Sequence, residues 1–422
     1  MYQYSITGGR RLDGELTIQG SKNGILPILA ATVLHKGTCI IHGCPHITDV
    51  FHTLTILGKL GCKTELNNHT IVVDSSHIQM AEIHKEDSEK MRSSIVFMGS
   101  LLGRCGECNL WYPGGCTIGR RPIDIHENGL RKLGAEIKKE ETGICASVVE
   151  LQGGEFNLPF PSVGATENLI LASVLARGTT VLTNVAKEPE ILELCSFLNC
   201  MGADVKMRGN QIVVHGVNAL KDVEYTLSPD RIVTGTYLLA VMGTTGRVTI
   251  RRPVTNQLES LLELIRQMGG RVECKTDALT VTCDGAIAPV SKVETGPYPA
   301  FPTDLQSPLL AILTRAEGMS RMRERMFEER YKIVPYLQRM GADIRIADGE
   351  AFVLGGGGLK GKMVTGEELR GTAALIIAGM MAEGVTIVKE NGFLERGYED
   401  MAGDLQKLGA QIAYEKKWNE RI

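Results

Sequence analysis

The sequence predicts an α/β fold of two domains, each an inside-out α/β barrel in which three βαβαββ-type repeats surround buried helices. Three observations predict it. A motif ending in Leu-Gly or Met-Gly recurs as LGKLGC, LRKLGA, LNCMGA, IRQMGG, LQRMGA and LQKLGA. Its glycines, Gly61, Gly134, Gly202, Gly269, Gly341 and Gly409, stand 73, 68, 67, 72 and 68 residues apart, so six units fill the chain. At 422 residues the chain is too long for one ordinary core, and six units divide naturally into two sets of three.

Within each unit the parts follow one order. An apolar helix comes first; ILPILAATVL (25–34) places Leu26, Leu29, Ala30 and Val33 at helical spacing. A short β-rich run follows a glycine, as in GTCIIHG, GTTVLTNV, GRVTIRR and GVTIVKE. A second helix closes at the recurring glycine, and polar/apolar alternation such as QIVVHG (211–216) then reads as paired strands. The segment LDGELTIQG near the N-terminus resembles the strands that lead into later repeats but has no helix of its own. If the sixth repeat lacks its closing strands, residues 1–21 can supply them. The expected domains are therefore 22–229, carrying a loop around Cys116, and 1–21 plus 230–422, with the active site in the cleft between them.

Composition narrows the function. Hydrophobic residues make up 43% and the net charge is −3, which predicts a globular protein with no bulk attraction for nucleic acid or an anionic membrane. The N-terminus has no signal-peptide apolar region and no run reaches about 18 apolar residues. Together with eleven cysteines lacking a disulfide framework, this predicts the cytoplasm, reduced thiols and no membrane insertion.

The chemistry concentrates in WYPGGCTIGRRPIDIH, residues 111–126. Glycines 114, 115 and 119 give a loop without side-chain bulk, Arg120 and Arg121 bias the Cys116 thiol toward thiolate or toward proton donation, and Asp124 and His126 begin the polar face of a helix. Polar clusters also open the first helix of every repeat: Ser21, Lys22 and Asn23; Arg92, Ser93 and Ser94; Ser162 and Thr166; Asp230 and Arg231; Thr303 and Asp304; Glu368 and Arg370. Ser, Thr and Asp there are ordinary caps. Lys22, Arg92, Arg231 and Arg370 oppose the helix dipole, so bound anions are the expected reason for them. Other motifs carry less. GGLKGK (357–362) is followed by Met363 instead of a hydroxyl residue, Cys105 and Cys108 have no second pair, and His42, His46 and His52 are scattered.

Together with the sextuple repeat, six stretches carry a family resemblance: GSKN (20–23), PGGCTIG running into RPID (113–124), SVGATEN (162–168), PDRIVTGT (229–236), FPTD (301–304) and ERGYE (395–399). Over essentially the whole chain the sequence resembles the enolpyruvyl transferases that act on UDP-N-acetylglucosamine. The resemblance implies transfer of the enolpyruvyl group of phosphoenolpyruvate to the sugar 3-hydroxyl with release of phosphate. It implies two small-molecule substrates, no cofactor and no metal, and a place at the start of peptidoglycan synthesis.

Residue by residue, it implies that Lys22, Asn23, Arg121 and Arg396 bind phosphoenolpyruvate. The nucleotide sugar would meet Asn23, Arg92, Arg121, Pro122, Ile123, Asp124, Ile125, Ser162, Val163, Gly164, Asp304 and Met326. Cys116 would act as general acid and Asp304 as general base, with Lys22 also catalytic and Arg231, Glu368 and Arg370 in support. Cys116 is also where the epoxide fosfomycin would attach. Three positions depart from the family pattern: Glu368 where aspartate is usual, Glu329 for asparagine, and Phe160 where some members have lysine. A second reading is accordingly a weakly active paralogue that binds UDP-N-acetylglucosamine in a regulatory role.

Overall fold

A computed structural model of the chain describes residues 2–115 and 118–416. It is mixed α/β, with six four-stranded sheets among the described residues. Contacts divide it into two compact units: residues 20–115 and 121–228 form one, and 2–19, 118–120 and 229–416 the other.

The repeat beginning at Glu155 shows how one sheet is built. Strand Glu155–Asn157 lies parallel to Thr179–Thr183, and Thr179–Thr183 pairs antiparallel with Gln211–His215, whose hairpin partner Asp204–Arg208 forms the edge. Helix Val163–Val174 connects the first pair and helix Pro189–Cys200 precedes the hairpin. Alternate strand residues such as Leu182, Ile212 and Val214 are fully buried, so one face of the sheet covers helices and the other faces outward.

Three helices in each unit are buried nearly all round: Lys22–Thr32, Phe97–Cys105 and Val163–Val174 in one, and Arg231–Thr244, Gln306–Leu313 and Leu369–Met381 in the other. Their sequences lack a polar stripe for that reason. The second helix of each repeat is amphipathic and ends at the recurring glycine. All six of those glycines have φ between 92° and 103°. This left-handed backbone returns the amide toward the last turn and strongly disfavours a Cβ, which is why the motif survives in every copy.

The chain ends are shared between sheets. Tyr2–Thr7 pairs antiparallel with both Val385–Glu390 and Gln411–Lys416, while Asp13–Thr17 runs parallel to Arg247–Arg251. The sixth repeat thus carries one closing strand of its own and takes the other from the N-terminus, and the next strand leads the fourth repeat. Val223–Thr226 plays the leading part for the first repeat, parallel to Thr38–His42. Among the described residues no helix is long and apolar enough to cross a membrane.

Candidate active site

In the unit containing residues 20–115, Ser21 caps helix Lys22–Thr32 by accepting the Gly24 amide at 3.1 Å. The next residue, Lys22, is buried, and its Nζ lies 2.7 Å from Oδ2 of buried Asp49, in the first turn of helix Thr48–Leu60. Asn23 follows, half-buried. Asp49 was not anticipated from sequence; a carboxylate beginning an amphipathic helix is indistinguishable there from ordinary capping. It adds to the dipole argument that Lys22 has a carboxylate of the protein beside it.

Arg92 opens the 3₁₀ turn Arg92–Val96 and donates Nη2 to the carbonyl of Arg121 and, at 3.4 Å, to that of Pro122. Burial first, and then the Arg121 charge, hold its guanidinium down at about 10. Pro122 and Asp124 are exposed, while Arg121, Ile123 and Ile125 are half-buried where helix Asp124–Lys132 begins. His126 lies on the buried side of that helix and not on a polar face. Its Nδ1 accepts from Asn168 Nδ2 at 2.9 Å, with the amide oriented by Asn168 Nδ2 donating to the Ile95 carbonyl at 3.0 Å and Asn168 Oδ1 accepting from the Gly99 amide.

The ring is therefore neutral, with its proton on Nε2. A Cβ on Gly164 would stand 3.6 Å from that nitrogen, so His126 abuts the turn Ser162, Val163 and Gly164 that begins helix Val163–Val174. Ser162 caps this helix through the Ala165 amide at 3.4 Å. Phe160, nearby in sequence, is exposed.

In the other unit Asp304 joins two buried arginines. Arg330 donates Nη2 to Asp304 Oδ1 at 2.5 Å and Arg370 donates Nη2 to Oδ2 at 3.2 Å. Glu368 completes the cluster: its carboxylate caps helix Leu369–Met381 by accepting the Arg370 and Gly371 amides, and it lies 3.6 Å from Arg330 Nη1. Burial opposes the charge on Arg370, but Tyr398, Asp304 and Asp230 around it outweigh that and hold its pKa above the usual value. Arg370 also lies over the Tyr398 ring at 5.5 Å, as Arg231 lies over Tyr298 at 5.7 Å. Arg370, like Lys22, meets a protein carboxylate where a bound anion was expected.

Arg330 was missed in the sequence because it follows the second strand of its repeat and not the start of a first helix. Asp230 is an N-cap, accepting the Ile232 and Val233 amides at 2.7 and 2.9 Å. Met326 lies in a loop organised by Glu324, which accepts the Met326 amide at 2.6 Å and the Thr303 hydroxyl at 2.9 Å. Arg396 ends the 3₁₀ turn Leu394–Arg396.

Residues 118–120 belong to this unit: the Ile118 carbonyl accepts the Glu329 amide at 3.1 Å, and the carboxylate of Glu329 pairs with Lys332 at 2.5 Å. Gly119 has φ +133°, and a Cβ there would collide with Glu328. Cys116 itself lies outside the described residues. Of the CxxC pair, Cys105 is exposed and Cys108 buried.

Residues 6–415 match the family described as EPSP synthase (3-phosphoshikimate 1-carboxyvinyltransferase). The UDP-N-acetylglucosamine 1-carboxyvinyltransferase 2 of Caldanaerobacter subterraneus subsp. tengcongensis is 44% identical over 413 residues, spanning 98% of this chain and 99% of the relative. The chain belongs to the UDP-N-acetylglucosamine 1-carboxyvinyltransferase family. A second member, from Chlorobium luteolum, is 41% identical over 97% of this chain and 98% of its own length. Among solved structures, the enolpyruvyl transferase NikO from Streptomyces tendae superposes with a TM-score of 0.89 at 24% identity, over 98% of each chain. EPSP synthase from Acinetobacter baumannii gives 0.74 at 18% identity, over 99% of this chain and all of its own. At those identities the structures speak for the fold, and the family's mixed α/β architecture is the one found here.

Proposed function

We propose that the chain transfers the enolpyruvyl group of phosphoenolpyruvate to the 3-hydroxyl of UDP-N-acetylglucosamine and releases phosphate, the first committed step of peptidoglycan synthesis. The observation that carries this reading is the 44% identity, across nearly the whole of both chains, to a relative named for that activity. The six sheets and six buried helices support the finer description of each unit as an inside-out α/β barrel. The reading places the enzyme in the cytoplasm and involves neither cofactor, metal, nucleic acid nor membrane.

Chemically, transfer requires the sugar oxygen to bond to C2 of phosphoenolpyruvate while C3 gains a proton. Loss of a proton from C3 then expels phosphate from C2 and restores the C2–C3 double bond, now of an enol ether. Cys116 is assigned the proton at C3, and Asp304 is assigned the hydroxyl proton. Arg330 and Arg370 hold the two oxygens of Asp304 in place. Lys22, Asn23, Arg121 and Arg396 are assigned to phosphoenolpyruvate. Arg92, residues 121–125, residues 162–164 and Met326, with Asn23 and Asp304, are assigned to the nucleotide sugar.

Phosphate release measured with both substrates tests the reading. Release must require both, and shikimate 3-phosphate must not replace the nucleotide sugar. Binding of UDP-N-acetylglucosamine without phosphate release would leave the regulatory alternative, which the relatives' names do not favour.

A further inference from the structure

Beside Arg396, the carboxylate of Glu395 is gripped by both ends of the chain. Tyr2 OH donates to Glu395 Oε2 at 2.8 Å and Tyr414 OH donates to Oε1 at 3.1 Å. The two phenols reach it side by side, because Tyr2–Thr7 pairs with Gln411–Lys416 and their rings stack at 5.9 Å with 19° between planes. Tyr4 backs Tyr414 at 5.0 Å and Lys416 covers Tyr2 at 5.1 Å.

The backbone of the same turn is held independently. Buried Glu390 accepts the Phe393 amide, while Gln19 donates to the Gly397 carbonyl at 3.1 Å and accepts the Glu399 amide at 2.9 Å. Without Tyr2 and Tyr414, the residue preceding Arg396 would keep its backbone contacts but lose its side-chain anchor.

We infer that Tyr2, Tyr414 and Glu395 form a clamp that positions Arg396 for phosphoenolpyruvate. This rests on the role proposed above for Arg396. The clamp acts through geometry: a guanidinium must present its fork to a carboxylate or phosphate within a narrow angle, and displacement by about 1 Å costs on the order of a hundredfold in the worst case. Donation from a phenol to a carboxylate is directional and charge-assisted. Burial and Glu395 push both phenols above their ordinary range, so the donors persist through neutral and mildly alkaline pH. Tyr2, Tyr414 and Glu395 are thus positioning residues, two of them supplied by the termini.

The test is the double variant Tyr2→Phe/Tyr414→Phe, which keeps both rings and removes both hydroxyls. KM for phosphoenolpyruvate should rise roughly tenfold, the KM for UDP-N-acetylglucosamine should stay within about twofold, and amide exchange across 393–398 should quicken. Unchanged KM values, or an equal rise in both, would overturn the inference, as would unchanged exchange. If the double variant does not fold, Glu395→Gln, which forfeits the charge but little volume, is read by the same criteria. Should the unaltered protein release no phosphate, the functional proposal fails, and the exchange comparison still decides whether the hydroxyls hold the turn. Quickened exchange with an unaltered phosphoenolpyruvate KM would separate the clamp from Arg396 binding and likewise overturn it.

Discussion

Lys22 and Asp49 form a buried ion pair at 2.7 Å between the starts of two helices. Both side chains are largely shielded from water, so removing one partner of the pair is costly. Asp49→Asn should destabilise the protein by about 3–5 kcal/mol, because it removes the carboxylate charge that faces a buried ammonium. The double variant Asp49→Asn/Lys22→Met should recover much of that loss while remaining inactive. Denaturant unfolding of the single and double variants measures the coupling; additive losses would show that the pair is not the stabilising unit.

Asp304 joins Arg330 and Arg370 through its two oxygens, so Asp304→Asn does more than remove the proposed base. It also leaves two buried guanidinium groups with less negative charge between them. We expect kcat to fall by roughly two to four orders of magnitude with UDP-N-acetylglucosamine still bound, and the thermal midpoint to fall as well. Calorimetry with the nucleotide sugar separates these effects. A proportionate loss of affinity and turnover would make Asp304 a positioning residue for the arginines.

The fold was legible in the sequence to the extent that it repeats. Six equally placed glycines with left-handed φ mark the end of every second helix, and the apolar helices without a polar stripe are those that are buried. Strand exchange was less legible. That Val223–Thr226 leads a sheet with Thr38–His42 is a pairing across nearly the whole unit, and no local pattern encodes it. In the candidate site, residues inside motifs could be named from the sequence, but the residues they contact could not. Asp49 and Arg330 act through contacts distant in sequence, and two of the cations expected to meet an external anion, Lys22 and Arg370, have carboxylates of the protein beside them.

Cys116→Ser should abolish or severely slow phosphate release, since a hydroxyl is a far weaker acid and nucleophile than a thiol. Fosfomycin should alkylate the unaltered protein at Cys116 and leave the serine variant unmodified. Peptide mass spectrometry locates the adduct. Modification at exposed Cys105, Cys200 or Cys274 instead would remove Cys116 from its assigned role.

His126 yields a prediction about pH whose sign follows from its surroundings. Burial, then the Arg92 and Arg121 charges, lower its pKa from 6.5 to about 3, and protonating Nδ1 would turn the bond from Asn168 into a clash of donors. Between those values the unfolded chain binds a proton that the folded one refuses. The contribution of His126 is therefore fully present above pH 6.5 and is lost as pH falls toward about 3, with a slope of up to about 1.4 kcal/mol per pH unit. Glu167, next to Asn168 in helix Val163–Val174, behaves in the opposite sense. Burial first, and then Glu190 and Glu188, hold its pKa well above 4.5, so its unfavourable contribution grows as pH rises from there.

Unfolding free energies measured from pH 4 to 8 for the unaltered protein, His126→Gln and Glu167→Gln should separate the two. His126→Gln should flatten the acid side of the stability profile, and Glu167→Gln should raise stability at neutral pH relative to pH 4. Parallel profiles for all three proteins would mean that neither buried group carries the folded-state shift its environment demands.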